Sequence, residues 1–265
     1  MLVIRSLLFN AAFYVAMAVT FIVVTPVYFF LPQPRNMAVV SWLARVELWL
    51  LRVIAGTKVE FRGLENLPDG PFILASKHQS IWETFAFLKP IPNPGVVIKR
   101  QLLYVPIWGW WAWKAEMIYV TRGGGTAALR EITEGGERVL KQGRPLIIFP
   151  EGTRRAPGAP PDYRQGIALL YAKLGVPVVP VALNSGLYWP RRRFLRFPGT
   201  IIVEMMPPIP PKLSPRAFLN ELTATIESGC DRLLLEADAA TPRPPFGDEA
   251  KARLAELKKT DSSVT

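Results

Sequence analysis

Residues 72–83 read Phe72-Ile73-Leu74-Ala75-Ser76-Lys77-His78-Gln79-Ser80-Ile81-Trp82-Glu83. The opening run is apolar throughout and closes on a serine, the pattern of a strand covered on both faces. Ser80-x-x-Glu83 is a capping-box signature and predicts a helix over Ile81–Leu88. A buried strand leading directly into a helix start is the building unit of an α/β fold. The same alternation continues outward in both directions. Further strands are predicted at Lys58–Phe61, Val96–Lys99, Met117–Thr121, Leu146–Phe149, Val178–Leu183 and Ile201–Met205. Helices are predicted over Thr126–Lys141, Gln165–Leu174 and Pro215–Leu235, the last with Ser214 as N-cap and Pro215 at its first position. The expected architecture is α/β, a mostly parallel central sheet of about seven strands flanked by helices.

Upstream of this region the pattern is different. Ser6 to Pro34 carries no charge, and Arg5 and Arg35 border it. A helix needs ~20 apolar residues to cross a hydrocarbon core of ~30 Å, and Ser6–Leu31 is long enough. A cleaved signal peptide is the alternative, but its apolar part is ~7–15 residues ending at small side chains. This stretch ends in Tyr28, Phe29 and Phe30. Next, Met37–Ala55 spaces Trp42, Val46, Trp49, Leu50 and Val53 as on a helix, with Arg45, Glu47 and Arg52 among them. A core-packing helix has such a pattern too; tryptophans beside arginines after a membrane-grade stretch favour an interfacial one. Three segments are expected: a membrane-anchoring helical pair at 1–56, an α/β domain at 57–240, and a Pro-rich and polar tail at 241–265 with a helix candidate at Asp248–Lys259. Basic residues crowd the chain after the apolar stretch, which places the body on the cytoplasmic face of the cell (inner) membrane.

The chain has 265 residues, half of them hydrophobic, and 32 Lys+Arg against 21 Asp+Glu leave it at +11. That much apolar material excludes disorder for most of the chain, and the charge points to an anionic membrane surface, with nucleic acid as the rival partner. One cysteine, Cys230, and one histidine, His78, exclude a disulfide framework and Cys- or His-based metal sites. No metal is expected. There is no Gly-x-Ser-x-Gly elbow and no Walker A loop. The run Tyr188-Trp189-Pro190-Arg191-Arg192-Arg193-Phe194-Leu195-Arg196-Phe197 interleaves arginine with aromatics. It reads as a solvated loop or an anion-binding one, and beside a membrane helix the anion is lipid rather than nucleic acid.

Two constellations carry chemistry. His78 is the one side chain whose ordinary pKa suits acid–base work near neutrality. A histidine that activates a hydroxyl needs a carboxylate on its other ring nitrogen. On one continuous helix, side chains five apart diverge by ~140°. His78 and Glu83 therefore meet only if His78 precedes the helix and Glu83 stands in its first turn, and the capping box supports that layout. Glu83 as a mere cap is the competing reading. The second constellation, Phe149-Pro150-Glu151-Gly152-Thr153-Arg154, follows an apolar strand with a glycine turn, a hydroxyl and a guanidinium, which suit a phosphate. An ordinary turn with a solvated arginine pair has a similar composition.

His-x4-acid followed by Phe-Pro-Glu-Gly-Thr-Arg resembles the glycerophospholipid acyltransferase family, in particular the 1-acyl-glycerol-3-phosphate acyltransferases. Met117–Arg122, Val178–Ala182 and Lys99 before Gln101-Leu102 resemble further motifs of that family in the same order. The resemblance covers roughly 35–210. It implies that His78 is the general base, that Glu83 orients it, and that Arg122, Glu151, Gly152, Thr153, Arg154 and Lys99 serve the phosphate side. The implied reaction passes a fatty acyl group from acyl-CoA or acyl-ACP, as co-substrate with no cofactor, to a lysophosphatidate-like acceptor in phospholipid synthesis. Glycerol-3-phosphate, another lysophospholipid or a lyso-aminolipid are alternative acceptors; a non-catalytic basic membrane- or nucleic-acid-binding protein is the alternative class. The family's usual acid is Asp, where this chain has Glu83, and its second motif lacks the usual leading Gly, where Ala115 or Glu116 stands.

Overall fold

A computed structural model describes residues 1–121, 123 and 125–262, apart from the side chains of 261 and 262. Its strands are β1 (Thr57–Arg62), β2 (Ile73–Ser76), β3 (Gly95–Lys99), β4 (Ile118–Val120), β5 (Leu146–Ile148), β6 (Val178–Leu183) and β7 (Gly199–Met205). They form one seven-stranded sheet in the order β1-β7-β6-β2-β5-β3-β4. The helices are α1 (Leu2–Tyr28), α2 (Gln33–Leu50), α3 (Glu83–Ala86), α4 (Trp108–Lys114), α5 (Gly125–Lys141), α6 (Gly166–Leu174), α7 (Ser185–Tyr188), α8 (Pro215–Ala239) and α9 (Asp248–Ser262).

The alternation of side chains along each strand sends successive residues to opposite faces. Ile73, Ala75, Leu146 and Ile148 meet α5, α6 and α8 through Val139, Ile167, Tyr171, Phe218, Leu222 and Ile226. Leu74, Ile147, Val179 and Val181 face the other way, into a core shared with Phe9, Met37, Leu48 and Trp82. Both faces are covered, so the central strands β2, β5 and β6 are buried along their whole length and read as largely apolar runs. Gly229 lets α8 lie close on β6, since a Cβ there would stand 2.6 Å from that of Ala182 and 2.3 Å from Met206 Cε. Ser214 caps α8 as expected, its hydroxyl accepting from the Ala217 N–H at 3.2 Å.

All seven predicted strands are present, and every pairing is parallel except β6 with β7. Parallel neighbours need a crossover of a dozen or more residues, usually a helix packed on the sheet. Residues 184–198 between β6 and β7 are numerous enough for a crossover, but their helix is only the four-residue α7, and β7 returns antiparallel. The helix expected at Ile81–Leu88 shrinks to α3 because Pro90 and Pro92 follow closely and disfavour helical backbone before them. The Trp108–Lys114 helix was not expected, because it is apolar all round and has no periodic stripe.

The N-terminal pair belongs to the same body. Along α1, Phe9 meets Trp189 (5.3 Å between ring centres), Phe13 meets Phe85 (5.9 Å), and Tyr28 stacks on Trp111 at 4.0 Å. The Trp111 indole N–H donates to the Thr25 hydroxyl (2.8 Å). The outward side of α1 exposes Val3, Ile4, Leu7, Leu8, Tyr14, Val15, Val19, Ile22, Val23 and Val27. Helix α2 is apolar on two sides. It buries Met37, Ala44 and Leu48 and exposes Trp42 and Trp49, so the core-packing and interfacial readings each describe one of its faces. It runs on into a π-helical turn, Leu51–Ala55, closed by left-handed Gly56. Arg5 Nε donates to the Ile54 carbonyl there at 2.7 Å.

Candidate active site

Strands β6, β2, β5, β3 and β4 run in one direction, so the loops after them gather along a single edge of the sheet. In open α/β sheets that edge is where ligands bind. In order along it come the turn into α7, the His78 loop, the Glu151–Arg154 loop, Lys99 and Thr121.

His78 stands before α3 and Glu83 is its first residue, so the histidine precedes the helix as required, although the N-cap is Trp82 rather than Ser80 and no side chain caps the helix. The Glu83 carboxylate is fully buried and accepts from the backbone N–H groups of Gln79 (3.0 Å) and Ser80 (2.9 Å), and from the Ser185 hydroxyl. The Ser80 hydroxyl in turn accepts from the Trp82 N–H (3.2 Å). Glu83 thus braces the turn ahead of α3, and it is also the neighbour of the histidine: His78 Nδ1 lies 3.5 Å from Glu83 Oε2, a charge contact rather than a hydrogen bond, and is hydrogen-bonded to nothing among the described residues. The imidazole stacks on Phe149 at 4.1 Å. With Nδ1 sealed in and one ring face covered, Nε2 is the nitrogen left for a substrate hydroxyl.

The second constellation lies beside the first. The Arg155 N–H donates to the His78 carbonyl (2.8 Å), which ties the two loops together. Gly152, at φ 64°, makes the tight turn, its N–H donating to the Phe149 carbonyl at 2.9 Å. That turn sends Thr153 and Arg154 onward past the sheet edge. Lys99 ends β3, two strands from β2, about 10 Å at the usual ~4.8 Å strand spacing. Arg122 lies outside the described residues. Glu151 departs from the phosphate-side expectation. Its carboxylate is buried and accepts from Lys77 Nζ at 2.9 Å, and an anion so committed is not a phosphate ligand. Among the described residues no three His, Cys, Asp or Glu side chains come together as metal ligands.

A family model described as Acyltransferase matches residues 58–184, which hold both constellations. Over 178 residues the chain is 41% identical to the 1-acyl-sn-glycerol-3-phosphate acyltransferase of Pseudomonas aeruginosa, covering 66% of this chain and 68% of that protein. The chain belongs to the acyltransferase family. A 1-acyl-sn-glycerol-3-phosphate acyltransferase of Saccharomyces cerevisiae is 31% identical over 183 residues, 64% of this chain and 57% of its own length. The crystal structure of the 1-acyl-sn-glycerophosphate (LPA) acyltransferase from Thermotoga maritima superimposes with a TM-score of 0.73 at 24% identity, covering 88% of this chain and 98% of that one. It shows that the two chains share a fold.

Five side chains around this acyltransferase's candidate site were given no role by the sequence reading. Lys77, beside the histidine, is almost wholly buried and pairs with Glu227 of α8 (2.7 Å) as well as Glu151. The Tyr163 hydroxyl donates to the same Glu227 oxygen at 2.7 Å. Burial works against the Lys77 charge, but Glu227 and Glu151 outweigh it and hold the ammonium above its ordinary pKa. Burial pushes the Glu151 carboxyl up, and Lys77 offsets this only in part. Ser185 of α7, the third donor to Glu83, comes from beyond β6 and carries no sequence signal. Gln79 reaches the same turn, its side-chain oxygen accepting from the Gly186 N–H at 3.0 Å. Glu227 did offer a signal: it is a carboxylate beside Ile226 on the buried stripe of α8.

Proposed function

We propose that this acyltransferase moves a fatty acyl group from an acyl thioester, on coenzyme A or acyl carrier protein, to the sn-2 hydroxyl of 1-acyl-glycerol-3-phosphate, giving phosphatidic acid. The observation that carries the reading is the geometry around His78, with Nδ1 held against a buried carboxylate and Nε2 free at the sheet edge beside Thr153 and Arg154. His78 Nε2 takes the proton of the acceptor hydroxyl as its oxygen attacks the thioester carbonyl. Glu83, 3.5 Å from Nδ1, stabilises the imidazolium that forms. The tetrahedral intermediate collapses to the new ester and expels the thiolate, which takes back the proton from His78. The acceptor phosphate sits toward Thr153, Arg154 and Lys99. The curated relatives' names favour this acceptor.

The molecule meets its lipid substrates side-on. Helix α1 is fastened to the body from Arg5 to Tyr28, about 35 Å at ~1.5 Å per residue, while its other side is a stripe of exposed aliphatic residues. A helix so fastened lies in one leaflet rather than crossing the bilayer, with the catalytic body on the cytoplasmic face of the inner membrane.

Purified enzyme assayed against lysophosphatidate, glycerol-3-phosphate and other lysolipids, with each thioester carrier and products read by mass, tests the assignment. The expected result is preference for lysophosphatidate and a His78→Ala rate lower by about 10²–10⁴ in kcat with unchanged melting. An active His78→Ala enzyme overturns the mechanism, and preference for another acceptor overturns the substrate.

A further inference from the structure

The arginine–aromatic run after β6 is not used by the reaction, yet it is built with care. Arg196 is buried, and its Nη1 donates to the carbonyls of Arg193 (2.7 Å), Phe194 (3.1 Å) and Leu195 (3.1 Å). Its Nη2 donates to Asn10 Oδ1 (3.0 Å), and the guanidinium lies 4.3 Å over the Trp189 ring. Burial lowers its pKa to about 10. A buried guanidinium spent on three successive carbonyls fixes the shape of the loop tip and leaves it little freedom to lose on binding.

That tip presents Arg191, Arg192 and Arg193 to solvent, followed by Phe194 at 48% exposure. None of the three arginines has a carboxylate within ion-pair distance among the described residues. Arg192 adopts a left-handed backbone, φ 55°. The loop is also stitched to the start of α1: the Arg196 N–H donates to the Ser6 hydroxyl (3.0 Å), and Asn10 Nδ2 donates to the Phe194 carbonyl (3.1 Å). Val3, Ile4, Leu7 and Leu8, close to Ser6 and Asn10 in the sequence of α1, are exposed. Arginines and a phenylalanine held rigidly beside an aliphatic stripe match the headgroup–acyl boundary of an anionic bilayer. Duplex nucleic acid would meet that aliphatic stripe with nothing apolar to cover it.

We propose that residues 189–196 form a pre-shaped docking element for anionic phospholipid headgroups. The proposal rests on the side-on membrane reading and adds to it a preference for negative charge. Arg191 Nη1 also donates to the Arg154 carbonyl (3.0 Å), so the docking loop touches the phosphate-side loop.

The test is co-sedimentation of the full-length enzyme with vesicles of phosphatidylcholine alone and of phosphatidylcholine with phosphatidylglycerol, for the parent and for Arg192→Gln/Arg193→Gln. Arg191 is left in place because of its contact with the Arg154 carbonyl. The parent is expected to bind anionic vesicles more tightly, and the double variant to lose about tenfold or more of that affinity. Its binding to neutral vesicles and its turnover of detergent-dispersed substrate should stay at parental levels. A double variant that keeps the full preference, or a parent with none, overturns the loop's role while the side-on reading stands. A parent that binds neither vesicle overturns both. Displacement by millimolar inorganic phosphate, or tighter binding to duplex DNA than to anionic vesicles, overturns the lipid assignment.

Discussion

Glu83 holds two amide N–H groups, one hydroxyl and one imidazole with two oxygens, all out of water. Replacing it with glutamine keeps the shape but turns an acceptor into a donor that must face another donor. Glu83→Gln is therefore expected to lose about 1–3 kcal/mol of stability as well as most of kcat, read by melting and by steady-state rate. Were Glu83 a cap alone, melting would fall and turnover per folded molecule would not. Lys77 is the other residue whose loss should be felt at once. Lys77→Met strands two carboxylates in the interior and is expected to destabilise by about 3–5 kcal/mol. Adding Glu227→Gln removes one stranded charge and should recover part of that loss, so a double-mutant cycle in denaturant shows coupling between the two sites. Arg154→Lys is expected to raise the KM for the phosphate-bearing acceptor more than for the thioester, because lysine does not reproduce a guanidinium fork.

Among the elements, α2 carries a charge problem in its middle. Glu47 is buried, neither carboxylate oxygen has a hydrogen-bond partner among the described residues, and burial raises its pKa to about 8. In the unfolded chain the group titrates near 4.5. A carboxyl raised on folding helps fully below 4.5, and its help is lost as pH climbs from there to 8. Stability is expected to fall across that window at a slope approaching ~1.4 kcal/mol per pH unit, and Glu47→Gln to flatten it; melting from pH 5 to 9 decides. The helices and strands differed in how plainly the sequence announced them. Strands such as Val178–Leu183 were legible because burial on both faces leaves no polar interruption, and α1 because charge disappears from Ser6 to Pro34. Helix α4 hid because Trp108-Gly109-Trp110-Trp111 has no polar side to set a period. The reversal of β7 hid because direction is set by the connection, not by the strand. The placing of His78 and Glu83, and of Gly152–Arg154, after neighbouring strands was legible since each group is contiguous in the chain. Ser185 and Glu227 were not, because tertiary folding alone brings them to Glu83 and Lys77.

Taken as one body, the molecule has a greasy side that belongs to α1 and α2 but a core that needs them too. Phe9 shares a cluster with Leu74 and Trp82, and Phe13 packs against it, so removing the first 34 residues would open the interior rather than simply release the enzyme from lipid. Single faces are the proper target. Val15→Glu/Val19→Glu, on the exposed stripe, is expected to leave melting near parental in detergent yet to weaken membrane retention by about a hundredfold per charge at full depth, less near the surface. Phe9→Ala, on the inner side, should do the reverse, costing about 3–5 kcal/mol of stability. Flotation of lysate membranes beside melting in detergent separates the two. The long contact between α1 and the body has a kinetic consequence. Laid flat on one leaflet, as proposed above, the enzyme samples a sheet of substrate, not a volume. The quantity that saturates it is the mole fraction of acceptor among the lipids around it, and diluting the membrane with inert lipid slows it even when the amount of acceptor per millilitre is held constant.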